Sequence, residues 1–235
     1  MSKANKKKKA PSDPKPLFEL KEINPLTETQ DIVFGEYDNG KNLVLHGYAG
    51  TGKTYISLYL ALETLLKKEE RYDKIIIVRS VVPSRDMGFL PGSAAEKARI
   101  YEEPYVEICN NLLGRGDGYE ILKRNRVIDF TTTSFLRGLT FNNAIVIVDE
   151  IQNMQFSEID TVMTRLGDNT RVIFCGDYRQ TDFKKEDEKS GLMKFMKILK
   201  RMSNFAHIEF LEGDIVRSGI VKDYIIKKAR LESGE

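Results

Sequence analysis

Several stabilising devices are scarce in the 235-residue chain. There are two cysteines, Cys109 and Cys175, far apart and in no CxxC pair, and two histidines, His46 and His207. None of the four stands at ligand spacing, whereas a structural zinc site usually takes four such ligands, so the pattern argues for buried thiols in a reducing compartment. No apolar run approaches the roughly 20 residues that cross a bilayer. The basic N-terminus is followed by no apolar stretch of the kind a secretory signal carries. The expected location is therefore the cytoplasm, with no membrane partner. Also missing is a basic stretch interleaved with aromatics, the platform on which unpaired bases stack.

Net charge is scarce too, but unevenly so. Residues 1–16 hold six lysines and one acid, a balance of +5, which leaves −3 for the remainder of a chain whose total is +2. With Pro11, Pro14 and Pro16 interleaved, this stretch reads as a disordered basic tail, either an electrostatic arm for nucleic acid or a solubilising extension. Residues 17–235 read as one domain. The chain is 41% hydrophobic, enough to build a core without a disulfide or metal.

The pattern alternates strands and helices. Asn42–His46, Lys74–Arg79, Arg126–Phe130, Ala144–Val148, Arg171–Cys175 and His207–Leu211 are short aliphatic runs and predict six strands. Helices are predicted from a Thr27 cap, with Gln30 closing a capping box, and over Thr54–Lys68. Others are predicted over Ala94–Leu113, interrupted near Pro104, and over Glu158–Leu166, capped by Ser157. The last two are Gly191–Met202 and Ser218–Leu231. Continuous apolar strands alternating with helices predict an α/β fold, a parallel sheet covered on both faces.

Gly47-Tyr48-Ala49-Gly50-Thr51-Gly52-Lys53-Thr54 satisfies the phosphate-loop pattern GxxxxGK[ST], after a strand and before a helix. Glycines let backbone N–H groups curl around phosphate oxygens, and the helix points its positive end at them. Lys53 would bridge the β- and γ-phosphates of ATP, and the Thr54 hydroxyl would take a position on Mg2+. The strand Ile145–Val148 ends in Asp149 and Glu150, the first suited to holding the magnesium and the second to activating a water. Gly176–Gln180 follows the fifth strand, where parallel sheets place ligands, and Gln180 could touch the γ-phosphate. Arg79 and Arg137, after a strand and beside a glycine turn, could each grip phosphate or nucleic acid.

These stretches resemble the PhoH family of phosphate-starvation ATPases, in the short form found in bacteriophages. The matching pieces are GYAGTGKT, IIIVRSVVP, MGFLPGS, SFLRGLTFNNAIVIVDEIQN, MTRLG, VIFCGDYRQTD and DIVRSG. Ser80 and Ile151 stand where many relatives carry proline and alanine. The family is similar to the first motor domain of superfamily 1 helicases, which implies a RecA-like P-loop NTPase fold. The resemblance also implies an adenine contact at Gln30, γ-phosphate sensing at Gln152 and Gln180, and an arginine-motif role for Arg217. Because such helicases hydrolyse ATP between two motor domains and this chain has room for one, it implies a homo-oligomeric ring of six, with Arg217 reaching the neighbour's site. The activity implied is ATP hydrolysis coupled to single-stranded RNA or DNA. An ATP-switched assembly protein and a nucleoside kinase remain as alternatives; the latter usually carries a cysteine-rich lid that is missing here.

Overall fold

The computed structural model describes residues 19–67, 71–80, 94–177 and 186–233. The tail over 1–16, the loop over 83–92 and Gln180 lie outside these residues.

Six strands form one parallel sheet: β1 (Asn42–Gly47), β2 (Lys74–Arg79), β3 (Ile128–Thr132), β4 (Ala144–Asp149), β5 (Thr170–Gly176) and β6 (Phe205–Phe210). Their spatial order is β3-β2-β4-β5-β1-β6. Strand side chains alternate between two apolar layers. Leu43, Leu45, Ile75, Ile77, Ile145 and Ile147 face one side. Val44, Ile76, Val146 and Val148 face the other. With both faces covered, neither needs polar residues, which is why the strands read as unbroken aliphatic runs.

Connection direction decides which helices cover which face. From β1 the chain passes α2 (Lys53–Leu66), skips over β5 and β4 to β2, then runs through α3 (Ala94–Leu112) and α4 (Gly118–Arg124) to the edge strand β3. It then reverses, passing α5 (Phe156–Met163) and α6 (Glu186–Leu199) on the way to β5 and β6. Parallel crossovers are right-handed, so reversing direction moves the helices to the opposite face. Accordingly α2, α3 and α4 share a layer with α1 (Glu28–Asp38), and α5 and α6 make the other. The last helix, α7 (Gly219–Ser233), leaves Ile220, Tyr224 and Leu231 exposed.

Several sequence expectations are corrected. Strand β3 runs two residues later than expected, because Val127 N–H turns back to the Leu122 carbonyl at 2.9 Å to end α4. The short helix α4 itself was not foreseen. Helix α3 runs through Pro104 without interruption. Helix α5 starts earlier than expected: Gln155, not Ser157, is its cap residue, and the Gln155 N–H donates to Glu158 Oε2 at 2.8 Å. Helix α6 starts and ends earlier than 191–202. Thr27 does cap α1, accepting from Gln30 N at 3.2 Å. Gln30 does not close a capping box, however; its side chain turns to the phosphate loop instead.

Candidate nucleotide site

The chain's change of direction places the carboxyl ends of β1 and β5 side by side with helices leaving to opposite faces, the crevice in which such sheets bind ligands. A cavity of about 820 Å³ opens there. It is lined by the loop from Ala49 to Thr54, by Asp149, Glu150 and Gln152 after β4, and by Gly176 and Asp177 after β5.

The loop's shape is set by glycine. Gly47, Gly50 and Gly52 all have positive φ, at 117°, 73° and 87°. At Gly47 there is no space either, since a Cβ would run into the backbone carbonyl of Phe210 on β6. Gly52 caps α2 with no side-chain hydrogen bond, leaving the helix's first N–H groups to the cavity side. Gly47 and Tyr48 do not line the cavity. The Tyr48 hydroxyl donates away from it, to Glu212 Oε1 at 3.1 Å, and the Thr51 hydroxyl donates to the Tyr48 carbonyl at 2.9 Å.

Lys53 folds back over this loop. Its Nζ donates to the carbonyls of Gly47 at 2.9 Å and Tyr48 at 2.6 Å, and to Thr51 Oγ1 at 3.3 Å. Burial lowers its pKa below the usual lysine value, while the carboxylates of Asp177, Glu150 and Asp149 pull the other way. An ammonium held by carbonyl dipoles amid three carboxylates is suited to receiving an anionic ligand.

The acidic side is equally organised. Asp149 is 5% exposed, and both its oxygens are hydrogen-bonded. Thr54 Oγ1 donates to Oδ1 at 3.0 Å, and the Tyr105 hydroxyl on α3 donates to Oδ2 at 2.9 Å. Burial, and then the neighbouring Glu150 carboxylate, raise the Asp149 pKa above the usual carboxylate range. A divalent cation would relieve both pressures, so the donor set of Thr54 and Asp149 fits Mg2+. Glu150 has a φ of 55°, a left-handed backbone rare for a residue with a side chain. That kink separates its carboxylate from the strand direction of Asp149. Gln152 joins the two flanking strand ends: its Nε2 donates to Glu150 Oε2, and its Oε1 accepts from Asp177 N at 3.0 Å. A Cβ on Gly176 would lie 2.5 Å from Gln152 Oε1 and 2.6 Å from Ile151 Cγ1, so any side chain there would displace them.

Arginines divide. Arg79 ends β2 in register with Asp149 and lines the cavity, its guanidinium 5.5 Å from the Tyr101 ring. Burial works against its charge, but Tyr105, Glu150 and Asp149 outweigh it and raise its pKa. Arg137 is exposed on the loop after β3 and does not line the cavity. Arg217 does line it, beside the loop of its own chain: a Cβ on Gly50 would come within 2.7 Å of Arg217 Cγ.

Gln30 is 4% exposed and braces the loop, donating from Nε2 to the Thr51 carbonyl at 3.0 Å while Oε1 accepts from Leu26 N at 2.7 Å. It borders a second cavity of about 430 Å³, with Leu26, Tyr55, Ile56, Val216 and Arg217.

Sequence reasoning missed Tyr105, which sits in no motif. It also missed Glu158, whose Oε1 accepts from Thr133 and, at 3.0 Å, from Ser80. Ser80 thus ties the end of β2 to α5.

The sequence profile described as PhoH-like protein matches residues 22–228. The chain belongs to the PhoH family. A PhoH-like protein of Bacillus subtilis is 36% identical over 196 residues, 83% of this chain and 57% of that one. The PhoH protein of Escherichia coli K12 is 35% identical over 176 residues, 74% of this chain and 49% of that one. The chain thus spans about half the length of these PhoH relatives. Among solved structures, a Pyrococcus furiosus Hef helicase domain aligns with a TM-score of 0.48 and 12% identity, over 79% of this chain and 39% of that one. The Sulfolobus solfataricus SWI2/SNF2 ATPase core in complex with dsDNA aligns at 0.46 and 14%, over 83% of this chain and 46% of that one. Beside those PhoH relatives, the fold here is a RecA-like P-loop sheet, with β5 lying between the loop strand and the acidic strand. No helix among the described residues is long and apolar enough to cross a membrane.

Proposed function

We propose that this PhoH-family chain hydrolyses ATP with Mg2+ and couples hydrolysis to single-stranded RNA or DNA. The observation that carries the ATPase reading is the 3.0 Å bond from Thr54 to Asp149, which joins the phosphate loop to the acidic strand across the width of β5. In a nucleotide complex Lys53 leaves the Gly47 and Tyr48 carbonyls for the phosphate oxygens, and loop N–H groups hold the phosphate chain. Magnesium, held at Thr54 and Asp149, supplies charge neutralisation on the phosphates. Glu150, turned aside by its left-handed backbone, orients a water and accepts its proton. Gln152, spanning Glu150 and Asp177, reports on the γ-phosphate, with Gln180 as its companion in that role. Arg217 stabilises charge on the transferring phosphoryl group from its place beside Gly50. The cavity bounded by Gln30, Leu26 and Tyr55 receives the adenine.

The nucleic-acid part rests on the family resemblance and on one surface feature. Phe135 is 58% exposed beside exposed Arg137, past the carboxyl end of β3 on the same edge of the sheet as the cavity. An exposed ring two positions from an exposed arginine offers a base a stacking face and nucleic acid a charge on one loop. Ring assembly, which the resemblance implies, has the open apolar face of α7 available to it. The test is phosphate release from ATP and Mg2+, with and without single-stranded RNA or DNA, beside a native mass. Release no faster than from Lys53→Ala would overturn the ATPase reading, and release indifferent to both nucleic acids would overturn the coupling.

A further inference from the structure

From the contacts of Asp149 we infer that Tyr105 is a positioning residue, which sets the magnesium affinity of the site by holding the Asp149 carboxylate from helix α3. This rests on the ATPase reading above but concerns a residue outside every motif of the phosphate loop and acidic strand.

Asp149 stands nearly buried at the end of β4, and a carboxylate there needs a donor for each oxygen. Thr54 supplies one and Tyr105 the other. Thr54 stands in the first turn of α2, directly after the phosphate loop. Tyr105 is 1% exposed, with its ring 5.7 Å from the Phe130 ring on β3. The hydroxyl donates to Asp149 Oδ2 at 2.9 Å, and Arg79 on β2 stands in register with that aspartate. The Tyr105–Asp149 bond ties α3 to the end of β4, holding one carboxylate oxygen before any cation arrives. Groups that orient a metal-binding carboxylate in this way typically change metal affinity 10–100-fold when removed.

Tyr105→Phe is the direct test, since it keeps the packed ring and deletes the hydroxyl. Binding of a fluorescent ADP analogue is titrated at increasing Mg2+, starting from EDTA, in the wild type, Tyr105→Phe, Asp149→Asn and the double variant. Melting curves confirm that each is folded. The expected result is unchanged analogue affinity in EDTA, with the Mg2+ midpoint raised about 10–100-fold in Tyr105→Phe. On the Asp149→Asn background the same substitution should add less than about twofold, because its target is gone. A wild-type midpoint in Tyr105→Phe would overturn the inference, as would an equal loss of affinity in EDTA or a full further shift over Asp149→Asn. A wild-type chain with no Mg2+-dependent binding would overturn the ATPase reading and this inference with it.

Discussion

Val216 donates its backbone N–H to the Gly50 carbonyl at 3.0 Å, pinning the segment before α7 to the tip of the phosphate loop. Arg217 follows directly, so its place at the cavity is set by backbone rather than by the reach of a flexible side chain. Arg217→Ala should bind nucleotide and hydrolyse it on the order of 10³-fold more slowly, the lower end for an arginine that neutralises phosphoryl charge. If the arginine serves its own site, mixing this variant with Lys53→Ala under subunit exchange should restore nothing. Recovery of phosphate release in the mixture would show that it acts across an interface instead.

Lys53→Ala should abolish hydrolysis and weaken nucleotide binding. The ammonium is the cation nearest the loop carbonyls of Gly47 and Tyr48, and alanine leaves those dipoles facing the phosphates without a mediator. Undiminished turnover in the folded variant would place the phosphates elsewhere.

Glu150→Gln should keep ATP and magnesium binding while slowing hydrolysis roughly 100-fold or more, the usual scale for a lost general base. The amide retains a partner for Gln152, so the link to Asp177 survives. Parallel loss of binding and turnover, read by titration and by single-turnover rates, would mark Glu150 as a structural residue.

Gly47→Ala combines a positive φ with a collision against the Phe210 carbonyl. The variant should lose about 2 kcal/mol of stability or more, seen as a lower urea midpoint at unchanged slope. A wild-type midpoint would mean that β1 and β6 separate easily at this point.

Removing residues 1–16 takes away six lysines and one acid. If they act as an electrostatic arm, affinity for single-stranded nucleic acid should fall and its dependence on salt should become shallower, since fewer counterions are released. Basal phosphate release should stay the same. Equal salt slopes in the two proteins would leave the tail a solubilising role.

What was legible in the chain followed from short-range rules. The phosphate loop is written in glycines whose positive φ no other residue adopts cheaply, and each strand is an aliphatic run because the sheet is covered on both sides. Sequence reasoning failed where a residue's role depends on a partner far along the chain. Gln30 fitted a local capping box, yet its amide reaches Thr51. Tyr105 carries no pattern at all; only the packing of α3 against the sheet brings its hydroxyl to Asp149, 44 residues away. Helix α4 is seven residues long, too short for a periodic signal, and is held by burial of Tyr119 and Leu122. Pro104 suggested a break, but the helix continues through it, and Tyr105, Cys109 and Leu112 bury the stretch that follows.

The crowding around Gly176 has a mechanical consequence. The strand between the phosphate-loop strand and the acidic strand ends in bare backbone, and Gln152 rests directly on it. A single methyl group at position 176 would act as a wedge, pushing the Gln152 amide off the Asp177 N–H and toward the cleft, with the phosphate loop untouched. Such a chain would still grip nucleotide but lose the strut between Glu150 and Asp177, separating holding a phosphate from sensing it.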